Sequence, residues 1–192
     1  MNRGTRRFII TSLLVAICLL LGLTPLGYIP IPPIEITLLC IPVIIGTITE
    51  GLGVGVVLGF FFGLTSFLQI FIKPTALSQL LFAISPLKTV LLVFVPRLLV
   101  PVTTWLVSRA INGESRMRQR AATGAGALVG SLTNTVLFLG ALYLLFLPEI
   151  GQLAKAFGTT PQLLGGVLAT IGAINGLPEA VVAVLLCVPI VW

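Results

Sequence analysis

Four polar side chains stand inside long apolar runs of this chain: Arg97, Asn134, Asn175 and Glu179. Arg97 offers a planar cationic fork that fits a carboxylate. The two amides donate and accept hydrogen bonds, and an ionised Glu179 accepts them. Asn175 and Glu179 are four residues apart in Asn175-Gly-Leu-Pro-Glu179, so one helix face carries both. Such a set can hold a polar solute. It can equally hold itself together, through an Arg97–Glu179 ion pair that fixes helix packing. Thr65, Ser66 and Gln69 near the outer end of one run, and Tyr143 at the end of another on the same side, add polar groups. For the hydroxyls the simpler role is a bond to a carbonyl of their own helix.

Other chemistries are excluded. The chain has no His and no Asp. A Ser-His-Asp triad and a His-ligated zinc are impossible, and no metal site is expected. No Gly-x-x-x-x-Gly-Lys-Ser/Thr loop is present, so no nucleotide or other cofactor is expected. Cys18, Cys40 and Cys187 are scattered in apolar runs and read as small buried hydrophobes.

The elements that position these residues must be membrane helices. The chain has 192 residues, is 57% hydrophobic and only 8% charged, and has a mean hydropathy of +1.19. Soluble domains carry about 25% charged residues. A cytosolic enzyme and a disordered chain are both excluded. The net charge of +6 does not point to nucleic acid, because of where the basic residues fall. Arg3, Arg6 and Arg7 precede the first apolar run, and Arg109, Arg116, Arg118 and Arg120 flank one polar loop. That is the positive-inside pattern of a multi-pass protein of the cell membrane.

A spanning helix takes about 20 apolar residues. The expected spans are Phe8 to Thr24, Ile36 to Thr49, Leu52 to Ile72, Pro86 to Ala110, Ala121 to Leu147 and Pro161 to Trp192. Residues 25–33 form a proline-rich loop or extended segment, and 75–85 a short surface or re-entrant helix. Residues 111–120 and 148–160 read as loops. The expectation is an all-α integral membrane bundle of six transmembrane helices, both termini cytoplasmic, forming a single domain over 1–192. Lys88 is expected near the outer end of its span, where it can snorkel.

Two stripes of small residues invite close helix contact. One is the Gly55, Gly59, Gly63 ladder, read first as packing inside the bundle. The other is Ser12 with Ala16, which suits either internal packing or a partner.

These segments also resemble a known family. The carriers are Ile41-Pro-Val-Ile-Ile-Gly46, Gly51, Gly55, Gly59, Phe62-Gly-Leu-Thr-Ser66, Pro96-Arg97, Gly130-Ser-Leu-Thr-Asn-Thr135 and Asn175-Gly-Leu-Pro-Glu-Ala180. In that order they are similar to the S components of energy-coupling factor vitamin transporters, most of all the pantothenate-type branch. The resemblance implies capture of a vitamin from outside. It also implies docking on a transmembrane coupling protein with two cytoplasmic ATPases, without ATPase activity in this chain. Ser12-Leu-Leu-Val-Ala16 matches the family's Ala-x-x-x-Ala docking motif with one change, and Ser12 keeps the face small. Pantothenate is a carboxylate, which suits Arg97; its hydroxyls and amide suit Asn134, Asn175 and Gln69. Cobalamin, folate, pyridoxine and hydroxymethylpyrimidine are the other vitamins of the family. Outside it, a self-sufficient ion-coupled carrier would use Glu179, and a membrane enzyme would need an acid–base pair that only Glu179 and Arg97 can form.

Overall fold

A computed structural model describes residues 2–24, 27–31 and 34–192, with side chains for all of these except 3, 28–31, 34–36 and 76. Pro25, Leu26, Pro32 and Pro33 of the proline-rich segment lie outside the described residues. In chain order the elements are α1 (Arg3–Leu23), β1 (Tyr28–Ile31), β2 (Ile34–Thr37), α2 (Cys40–Glu50), α3 (Leu52–Ile72), α4 (Ala76–Ile84), α5 (Pro86–Ile111), α6 (Arg116–Leu145), α7 (Ile150–Ala156) and α8 (Leu164–Val191). Five of them, α1, α3, α5, α6 and α8, are long and apolar enough to cross a membrane. Their outward faces are apolar, from Phe8 and Leu13 on α1 to Val136 on α6 and Leu185 on α8. A solvated protein does not expose so much apolar surface; lipid must cover it.

The second expected span is corrected. Ile36 and Thr37 belong to β2, which pairs antiparallel with β1, Ile29 facing Ile36 and Tyr28 facing Thr37. The run of β-branched residues from Ile29 to Thr37 favours a strand, and a two-stranded hairpin tolerates Pro30 on its open edge. Helix α2 therefore starts only at Cys40 and has 11 residues. That is about 16 Å of helix against a hydrocarbon layer of about 30 Å. It can be short because lipid does not reach most of it. It packs against α1, α3, α5, α6 and α8, and Cys40, Val43, Ile44 and Thr47 are buried. It stops at Gly51, whose φ of 91° lies where a side chain is strained.

Two loops are corrected as well. Helix α6 starts at Arg116, five residues before the expected Ala121, because the Ser115 hydroxyl accepts from the Arg118 N–H and the intervening residues are good helix formers. The 148–160 loop contains α7, whose Leu153 and Ala154 are buried. Lys88 meets Glu149 just before it at 3.0 Å. The 75–85 segment is helical, with a Thr75–Ser78 capping box.

The glycine ladder packs α3 onto α5. A Cβ at Gly55 would lie 2.8 Å from Pro101, at Gly59 2.6 Å from the Arg97 carbonyl oxygen, and at Gly63 2.8 Å from Phe94. Arg7, Arg109 and Trp192 share one end of the bundle, called the basic end below. Arg7 lies beside Gly53, while Gly51, Arg109 and Trp192 line one cavity.

The core has two parts. One, toward the basic end, gathers Leu14, Cys18, Val43, Ile44, Leu58, Phe62, Val100 and Cys187. The other, toward the opposite end, gathers Leu81, Leu92, Leu142, Phe146, Leu153 and Leu164. On α5 Arg97 falls between Leu92 and Val100; on α6 Asn134 falls between Ala127 and Leu142; on α8 Asn175 and Glu179 fall between Leu168 and Ala183. A polar layer thus separates two apolar ones.

Candidate substrate site

The backbone around Arg97 follows from two prolines. Pro96 has no N–H, so the Leu92 carbonyl four residues earlier loses its helical partner. Arg97 Nη1 donates to that carbonyl at 3.4 Å. Pro101 frees the Arg97 carbonyl in the same way, and this is the oxygen that faces Gly59. The guanidinium lies 4.8 Å from the Phe138 ring centre and 5.4 Å from that of Phe62. Aromatic faces stabilise a cation that has left water.

Glu179 follows Pro178 on α8 and is 8% exposed. Its Oε1 accepts from the Thr37 backbone N–H at 2.8 Å, and its Oε2 from the Thr135 hydroxyl at 3.5 Å. No ion pair joins it directly to Arg97. Asn134 is 7% exposed, and neither its amide oxygen nor that of Asn175 has a hydrogen-bond partner among the described residues. A buried carbonyl left unpaired costs about 1–3 kcal/mol.

These four residues meet at one cavity of about 230 Å3. Thr135, Phe138, Leu139 and Leu142 of α6 form one wall. Thr37 of β2, Leu77 of α4 and Phe157 beyond α7 also border it. A second cavity of about 210 Å3 adjoins it and shares Leu77, Arg97 and Phe138. Ser66, Ser78 and Thr89 line this second chamber. Arg97 thus stands between an acceptor-rich chamber and a hydroxyl-lined one. Such an arrangement can bind an anionic group at Arg97 while Glu179 and the amides take hydroxyl and amide donors.

Three of the expected residues lie elsewhere. Thr65 is fully buried where α3 meets α1, packs against Gly22, and donates to the Phe62 carbonyl of its own helix at 3.0 Å. Gln69 Nε2 donates to the Gly22 carbonyl at 2.6 Å. Both hold the α1–α3 seam. Tyr143 lines an apolar groove of about 520 Å3 between α6 and α8, whose rim includes the exposed Val136 and Leu177. Helix α3 is apolar on nearly every face, so sequence alone does not say which side Gln69 takes. Thr37, Thr135 and Phe138 are among the lining residues missed. Phe138 has a signal, since it follows Asn134 by one helical turn. Thr37 has none, because the hairpin brings it from a distant segment.

Ser12 and Ala16 are both exposed on α1, while Leu14 and Cys18 turn inward. Within the described chain nothing covers the stripe, so internal packing does not explain it.

Comparison with known proteins gives the family of the chain. The family model for the ECF transporter, substrate-specific component, matches residues 6–191. The chain is also similar to the pantothenic acid transporter PanT of Lactococcus lactis subsp. cremoris (strain MG1363). The two are 35% identical over 170 residues, which cover 83% of this chain and 77% of that protein. A transport component, and not an enzyme, is what the matched family describes. With its apolar spans and a match over nearly its full length, this multi-pass membrane chain belongs to the family of ECF transporter substrate-specific components.

Proposed function

We propose that the chain is the pantothenate-binding subunit of its transporter. The observation that carries this reading is Arg97, held between Phe62 and Phe138 and opening onto the cavity that Glu179, Asn134 and Asn175 share. The pantothenate carboxylate pairs with the Arg97 guanidinium. Its hydroxyls and amide N–H donate to Glu179 and to the Asn134 and Asn175 amide oxygens, which have no partner among the described residues. The similarity to a pantothenic acid transporter supports the same solute.

The chain works as one transmembrane domain. The basic end, with both termini, faces the cytoplasm by the positive-inside rule, and α2 counts as a sixth, buried helix. The hairpin, α4 and α7 then cover the solute from outside. Solute passes inward when the chain docks, through the Ser12–Ala16 stripe, on a transmembrane coupling protein driven by two cytoplasmic ATPases. Small exposed residues at that spacing let a partner helix approach closely. Equilibrium dialysis of labelled pantothenate against a panel of competing vitamins tests the solute. Displacement by unlabelled pantothenate alone is expected. Displacement by pyridoxine or hydroxymethylpyrimidine at similar concentration would move the chain to another branch.

A further inference from the structure

A third polar cavity, of about 530 Å3, lies at the basic end, far along the helices from the solute site. It is bordered by the Gly51 turn and by the ends of α5, α6 and α8. Most of its hydroxyls are already committed. Thr47, Thr49, Ser108 and Thr123 donate to carbonyls of their own helices, and the Trp192 indole N–H donates to the Thr123 oxygen at 2.9 Å. The groups left to meet a ligand are the Arg109 guanidinium and the amides of Gln119 and Asn112. Arg109 lies 4.9 Å from the Trp105 ring centre, which fixes its plane at the cavity rim. No acidic side chain lines the cavity among the described residues; Glu50 and Glu114, closest in the chain, are not part of the lining.

The donors therefore ask for an anion, and the fork geometry of arginine favours a phosphate or carboxylate. The rest of the lining asks for something else. Trp105, Trp192, Val191 and Ile48 make the other half apolar. A small soluble anion would leave that half wet. An amphipathic anion fills both halves. The exposed Arg116, Arg118 and Arg120 beside it place the cavity at headgroup level, where anionic lipids concentrate.

We infer that this cavity binds an anionic phospholipid, its phosphate on Arg109 and Gln119 and its glycerol end against Trp105 and Trp192. The test is native mass spectrometry of the delipidated full-length protein titrated with phosphatidylglycerol and with phosphatidylcholine. The expected result is one retained phosphatidylglycerol and about tenfold weaker phosphatidylcholine, which has the same phosphate but whose choline cation meets Arg109 with like charge. Arg109→Gln should remove the preference. Gln119→Leu should weaken it, and serves if the first variant does not fold. Arg116→Gln, at an exposed position outside the lining, should keep it. Excess inorganic phosphate or glycerol 3-phosphate should leave the lipid bound; displacement would assign the site to a soluble phosphate. Equal retention of both lipids, or an unchanged preference in Arg109→Gln and Gln119→Leu, would overturn the inference.

Discussion

The backbone N–H of Thr37 donates to Glu179 Oε1 at 2.8 Å. This bond ties the end of the hairpin to the middle of α8, across 142 residues of sequence. The carboxylate that borders the cavity is thus also an anchor for the element above it. Glu179→Ala should loosen both. Amide exchange in peptides covering Thr37 to Leu39 should speed up, and pantothenate affinity should fall by about tenfold or more, the value of one hydrogen bond to a charged group. Unchanged exchange at Thr37 would show that the hairpin is held by other contacts.

Among the described residues Arg97 is the one cation lining the cavity. Arg97→Ala should cut pantothenate binding by roughly 10–100-fold, and Arg97→Lys should recover only part of it, because a lysine offers a point charge without the fork. The alcohol analogue of pantothenate lacks the carboxylate. It should bind the native protein weakly and should not distinguish it from Arg97→Ala. An analogue that does distinguish them would give Arg97 a different partner on the solute.

Asn134 and Asn175 separate stability from binding. Each buries an amide oxygen without a partner among the described residues. Replacing either by Leu removes a polar group that costs roughly 1–3 kcal/mol. Thermal unfolding of Asn134→Leu or Asn175→Leu should therefore shift little or upward, while pantothenate affinity drops. A drop in melting temperature together with full binding would show that the amides are structural.

Gly59 and Arg97 are coupled through backbone. A methyl group at Gly59 would sit 2.6 Å from the Arg97 carbonyl oxygen, so α3 and α5 would have to separate. Gly59→Ala should cost about 1–3 kcal/mol, as overpacking does, and should weaken binding by moving Arg97. Gly53→Ala is the control. Its nearest neighbour is the end of the flexible Arg7 side chain at 3.7 Å, and helix propensity favours the change.

The docking stripe is tested by bulk. Ser12→Trp should leave pantothenate binding intact and abolish ATP-dependent uptake in proteoliposomes holding the complete transporter. Uptake at the native rate would place the docking face elsewhere on α1.

The polar layer was legible because a charge or amide inside an apolar run has few tolerable places to go. Arg97, Asn134, Asn175 and Glu179 declare themselves by that cost alone. Thr65 and Gln69 do not, since hydroxyls and amides can also bond a nearby backbone, and here they bond the carbonyls of Phe62 and Gly22. The short α2 was hidden because its residues are apolar enough to span, and only the strand pairing of Ile34–Thr37 takes the first of them away. Thr37 was invisible for the same reason: its role depends on a tertiary bond to Glu179 that no local pattern encodes.

The most direct measurement is calorimetric titration of the purified chain alone with pantothenate, run beside Arg97→Ala. Saturable binding with a one-to-one ratio is expected for the native protein, weakened by roughly 10–100-fold in the variant. Absence of binding to the native chain, or equal affinity in the two, would contradict the assignment of this cavity as the pantothenate site.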